Sequence, residues 1–155
     1  MSRKTLPVFL LLAAASSQAE APPLDRALTA ARAALESCAA KEQQVAITII
    51  DADGVTKLVL AADGATPRGV VSSGNKARTA LAFAAPTSRL GEQVKSDAAL
   101  AEKVAANAEF NVRAGGLLLV SAKGDQLGAV GVGGAHGSEK DEECAQVAAA
   151  LLAKP

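Results

Sequence analysis

From residue 24 to residue 41 apolar positions recur at helical spacing. Leu24, Leu28, Ala31, Leu35 and Cys38 share one face, with Asp25, Arg26, Arg32 and Glu36 mostly off it. Pro22-Pro23 ahead of them can set the start of a helix. The period then changes. Residues 45–50 and 55–60 are aliphatic, β-branched runs separated by Asp53-Gly54, a turn pair able to take the positive φ of a tight hairpin. Asp63-Gly64 closes the second run, and a polar stretch bearing Gly and Ser covers residues 65–75. Within it Thr66 can cap a helix with Pro67 at its first position. The pattern becomes firmly helical over 76–85, and Pro86 stops it. Thr87 or Ser88 restarts a helix through Leu90 and Val94, Ser96 caps another carrying Leu100 and Val104, and 110–112 reads as a short strand. Residues 116–121 and 126–132 form a second pair of aliphatic runs, and 139–154 is a final amphipathic helix with an acidic first turn.

The order is helix, hairpin, helices, hairpin, helix. Hairpins imply an antiparallel sheet, and both sheet faces need a cover, so the chain reads as a single α+β layered domain. Gly128, Gly131, Gly133 and Gly134 follow a hairpin strand and do not satisfy G-x-G-x-x-G, which argues against a nucleotide site. They predict close packing of that strand against a helix or another subunit.

Composition narrows the function. The chain has 155 residues, with 16 Lys+Arg balanced by 16 Asp+Glu, no Trp or Tyr and three Phe. That balance lacks the basic footprint of nucleic-acid binding, and the shortage of rings removes base-stacking platforms. One His and two Cys cannot build a Cys₄ or Cys₂His₂ zinc site. Asp51 and Asp53 resemble part of a calcium loop but lack its remaining ligands, so they read as a hairpin turn. Residues 1–19 have the form of a secretory signal peptide: basic Arg3 and Lys4, an apolar run, then Ser17-Gln18-Ala19. That run is too short for a stable membrane span. The expectation is a periplasmic or secreted domain over residues 20–155, and such a compartment permits disulfides. Cys38 and Cys144 each sit on the apolar face of a predicted helix, either as small buried hydrophobes or as a bridge.

Three blocks carry a family resemblance: AITIIDADGVTKLVLAADGA (46–65), NKARTALAFAAPTSRL (75–90) and AGGLLLVSAKGDQLGAVGVGGAHGSEKDEECAQVAAALL (114–152). In order and spacing they resemble the GlcG/HbpS-like, or haem-degrading domain, family, which includes the C-terminal domain of some corrinoid adenosyltransferases. The chain departs from that pattern at Ala61-Ala62 and at Gly115-Gly116-Leu117-Leu118, where the family often has Arg-Met and Gly-Gly-x-Pro.

The resemblance implies about five antiparallel strands with helices on both faces, a homo-oligomer, and binding of haem or a related tetrapyrrole in uptake, buffering or redox sensing. On this reading Lys76 pairs with a haem propionate, Thr79 or His136 offers an iron ligand, Phe83 lines the ring, and Gly115 and Gly116 lie near the ligand. Each has a plainer reading: Lys76 and Arg78 as solvated charges, Thr79 and Phe83 as packing, His136 as an exposed loop residue. No general acid–base constellation accompanies them, so haem loss, where it occurs, is expected from coupled oxidation by bound iron rather than from enzyme chemistry. The alternative is a cofactor-free oligomeric accessory protein.

Overall fold

The computed structural model describes residues 21–153, so the leader expected over 1–19 lies outside the described residues. The elements run α1 (Leu24–Ala39), β1 (Ala46–Asp51), β2 (Thr56–Ala61), α2 (Pro67–Phe83), α3 (Thr87–Gln93), α4 (Ala98–Ala105), β3 (Gly116–Val120), β4 (Gln126–Gly133) and α5 (Ser138–Leu152). The hairpins β1–β2 and β3–β4 join through β1 and β4 into one antiparallel sheet of order β2-β1-β4-β3. Helices cover both faces, α1 and α5 on one and α2 on the other. No helix among the described residues is long and apolar enough to cross a membrane.

The sheet has four strands, not the expected five. Residues 110–112 do not form the fifth because their donors are taken outside the sheet, that of Phe110 by the Asn107 carbonyl at 3.0 Å and that of Asn111 by a side chain. Asn111 N–H donates to Thr79 Oγ1 at 2.8 Å, and Arg113 N–H donates to Asn111 Oδ1 at 3.1 Å. The cap of α4 also differs by one residue. Asp97, not Ser96, accepts from the Leu100 N–H at 2.9 Å, whereas the Ser96 hydroxyl donates back to the Gln93 carbonyl. Thr66 caps α2 as expected, accepting from the Gly69 N–H at 3.1 Å with Pro67 in the first turn.

The α1/α5 face is an apolar layer. Ala27, Ala30, Ala31 and Ala34 are fully buried with Ile47, Ile49, Val130 and Val132, while Leu24, expected in the core, is 56% exposed. The buried stripe of α1 is therefore its alanine edge, and small side chains let it lie close against Ala145 and Ala148 of α5. A disulfide between Cys38 of α1 and Cys144 of α5 closes that contact, with Cα atoms 5.8 Å apart.

The opposite face is built from missing side chains. A Cβ on Gly131 would lie 2.0 Å from the Ser73 carbonyl oxygen, and one on Gly133 would lie 2.6 Å from that of Gly69. Both contacts are far inside van der Waals distance, so α2 rests directly on the backbone of β4. The glycine strand is thus matched to a helix.

Candidate functional site

The N-terminal half of α2, the 111–113 segment, the end of β4 and the start of α5 surround a cleft of about 440 Å³. At its floor Lys76 Nζ donates to Asp141 Oδ2 at 2.7 Å and to the Val132 carbonyl at 3.0 Å. Both side chains are almost fully buried. The second oxygen of Asp141 accepts from the Ala135 N–H at 2.9 Å. The pair therefore ties α2, α5 and the loop after β4 to one another. Burial lowers the Lys76 pKa, against the opposing pull of Asp141. Burial likewise raises the Asp141 pKa, against the pull of Lys76.

Above this floor the wall is mostly polar. Arg68 and Arg113 are exposed at the cleft, and neither guanidinium has a hydrogen-bond or ion-pair partner among the described residues. Asn111 Nδ2 donates to Ser72 Oγ at 3.1 Å, and Asn75 and Ser138 complete much of the lining. Val71, 62% exposed, is the one large apolar side chain in it. The cleft is thus a polar recess with cationic edges.

Of the residues singled out in the sequence, Lys76 lies in the cleft, but its ammonium is engaged by Asp141 rather than turned outward. Thr79 is fully buried. Its hydroxyl donates to the Asn75 carbonyl at 2.7 Å and accepts from the Asn111 N–H, so it positions the cleft wall from behind. Phe83 is partly buried edge-to-face with Phe110, ring centroids 5.2 Å apart, with Lys103 Nζ 5.4 Å from its own centroid. Arg78 is exposed, 4.0 Å from Glu109. Gly115 and Gly116 are buried beside the floor, where a Cβ would strike the Val132 and Lys76 carbonyls at 2.8 and 2.4 Å. His136 is exposed in the loop after β4, next to Ala135 of the cleft lining, and its N–H donates to Gln43 Oε1 at 2.8 Å.

Sequence reasoning missed Arg68, Arg113 and the role of Asp141. Asp141 reads there as one of several acids favoured by a helix start, and its partner is 65 positions away. Arg68 follows the Thr66-Pro67 cap and so carried a locating signal; Arg113 carried none.

The model of a family described as haem-degrading, HbpS-like, matches residues 23–150. Among solved structures, a double mutant of HbpS from Streptomyces reticuli is 32% identical, with 97% of this chain and 99% of that one covered and a TM-score of 0.79. Protein ORFY of Klebsiella pneumoniae is 26% identical, with 89% and 94% covered and a TM-score of 0.80. PduOC, solved as a haem complex, shares the fold at 24% identity, 84% and 94% coverage and a TM-score of 0.76. No curated protein sequence matches the chain.

Proposed function

Because the chain belongs to the HbpS-like family of haem-degrading proteins, we propose that it is an exported, homo-oligomeric haem-binding protein of the periplasm or cell exterior. Its work there is haem or iron uptake, buffering or redox sensing. The observation that carries this reading is the pair of unpartnered guanidiniums, Arg68 and Arg113, at one cleft. A haem presents two propionates, and guanidinium–carboxylate pairs are strong charge-assisted bonds with matched planar geometry.

The residues fit the carboxylate edge of a haem. Arg68 and Arg113 would hold the propionates, Val71 would meet the ring edge, and His136, one residue beyond the lining, would offer an imidazole to iron. Haem bound there supplies redox chemistry through its iron. The protein's own part is to hold the carboxylates and to keep the cleft wall rigid through the Lys76–Asp141 floor.

Haemin titration of the purified protein tests the reading. A saturable Soret shift is expected, with a changed band in His136→Ala and affinity about tenfold or more weaker in Arg68→Ala/Arg113→Ala. An unshifted Soret band at saturating protein sinks it.

A further inference from the structure

The cleft has more polar recognition capacity than two propionates use. Its hydrocarbon side chains are Val71 and Ala135, whereas hydroxyls and amides from Ser72, Asn75, Asn111 and Ser138 share the wall with the two arginines. A porphyrin ring offers almost nothing to such groups. A compact polar acid offers carboxylates to the guanidiniums and hydroxyls to the amides.

The charge distribution points the same way. The wall holds three cations, Arg68, Lys76 and Arg113, and one acid, Asp141. Asp141 has both oxygens engaged, one by Lys76 Nζ and one by the Ala135 N–H. Lys76 and Asp141 pair at the floor, so the two arginines, whose guanidiniums make no hydrogen bond or ion pair among the described residues, give the rim a positive edge. The cavity, about 440 Å³, is within the range of small-molecule sites, and the buried ion pair beneath it holds its walls in place.

We propose that this cleft is a binding site for a free, small di- or tricarboxylic acid bearing hydroxyl groups, with Arg68 and Arg113 each taking one carboxylate. The site needs neither iron nor a tetrapyrrole, so the inference stands apart from the haem reading. An acid with two carboxylates can engage both guanidiniums at once, whereas a monocarboxylate brings a single charged group.

The test is calorimetric titration of the purified protein with citrate, succinate and acetate at fixed ionic strength. Citrate is expected to bind at least tenfold more tightly than acetate. Arg68→Ala and Arg113→Ala should each weaken citrate at least tenfold, while Arg32→Ala, an exposed arginine on α1, leaves it unchanged. Because both cleft arginines are exposed and neither guanidinium is bonded among the described residues, circular dichroism should show both variants folded. Absence of citrate heat, equal affinity for citrate and acetate, or equal loss in Arg32→Ala overturns the proposal. The haemin titration separates the two readings: citrate binding without a Soret shift removes the haem proposal alone, and a Soret shift without citrate heat removes this one alone. Competition between the two ligands supports a shared use of the same guanidiniums.

Discussion

The two faces of the sheet solve the same problem with opposite chemistry. On one, α1 and α5 close over Ile47, Ile49, Val130 and Val132 through alanines, and a covalent bridge from Cys38 to Cys144 fixes them. On the other, α2 sits on bare backbone, and what fixes it is polar: Thr48 Oγ1 with Ser73 Oγ at 2.8 Å, and the buried pair Lys76–Asp141. Helix α5 takes part in both, since Asp141 and Cys144 lie one turn apart on it. An apolar layer tolerates exchange of one hydrocarbon for another. A buried polar layer does not, because each unmatched group carries a full desolvation penalty. The comparison places the covalent fastening on the first face and the polar cleft on the second.

Substitutions can break that contrast, and the largest effect is expected at the glycine seam. Gly131→Val places atoms inside the Ser73 carbonyl and should destabilise by more than about 4–5 kcal/mol, leaving no folded protein by circular dichroism. A folded variant would show that α2 can lift off β4. Next, Cys38→Ala/Cys144→Ala should lower stability by about 4–5 kcal/mol in denaturant titration, given the long loop the bridge closes, yet leave ligand affinity intact below the unfolding transition. Loss of affinity there would merge the two faces into one functional unit.

Lys76→Met strands a buried carboxylate and is expected to destabilise by about 3–5 kcal/mol, whereas Lys76→Met/Asp141→Leu should recover much of that loss. The pair also predicts a pH dependence. Because the Asp141 pKa is raised on folding, its contribution to stability is fully present below the ordinary carboxylate range and is lost as pH rises through the folded value. On acidification from neutral pH the stability difference between wild type and Asp141→Asn should therefore move in favour of the wild type. A difference moving the other way contradicts the assignment. The smallest effect is expected at the rim: Arg68→Ala and Arg113→Ala should each change stability by no more than about 0.5 kcal/mol, while ligand binding falls.

How much of this was legible in the sequence follows the same division. The hairpins, the Thr66-Pro67 start and the Pro86 stop were legible because turn and cap chemistry is local. Residues 68–75 already belong to α2, although the small and polar side chains among them read as loop. Gly69 and Ser73 are what a helix needs when it must approach a glycine strand closely, a demand made by β4 and invisible within the helix itself. The alanine edge of α1 was overlooked for a related reason. Leucines mark the apolar face by size, but contact with α5 selects residues small enough to let two helices touch. The cleft was least legible. Lys76 was found and its partner was not, because Asp141 meets it only after the second hairpin has folded back.

The seam between α2 and β4 also limits how this protein can vary. Positions 131 and 133 leave no room for even a single methyl group, whereas Val71 and Arg68 face open space one or two helical steps away. A saturation library would come back almost blank at those two glycines and densely populated at the rim. The rim can then be rewritten by exchanging side chains that the scaffold does not feel, while the scaffold stays frozen at a seam where it has no side chains to exchange.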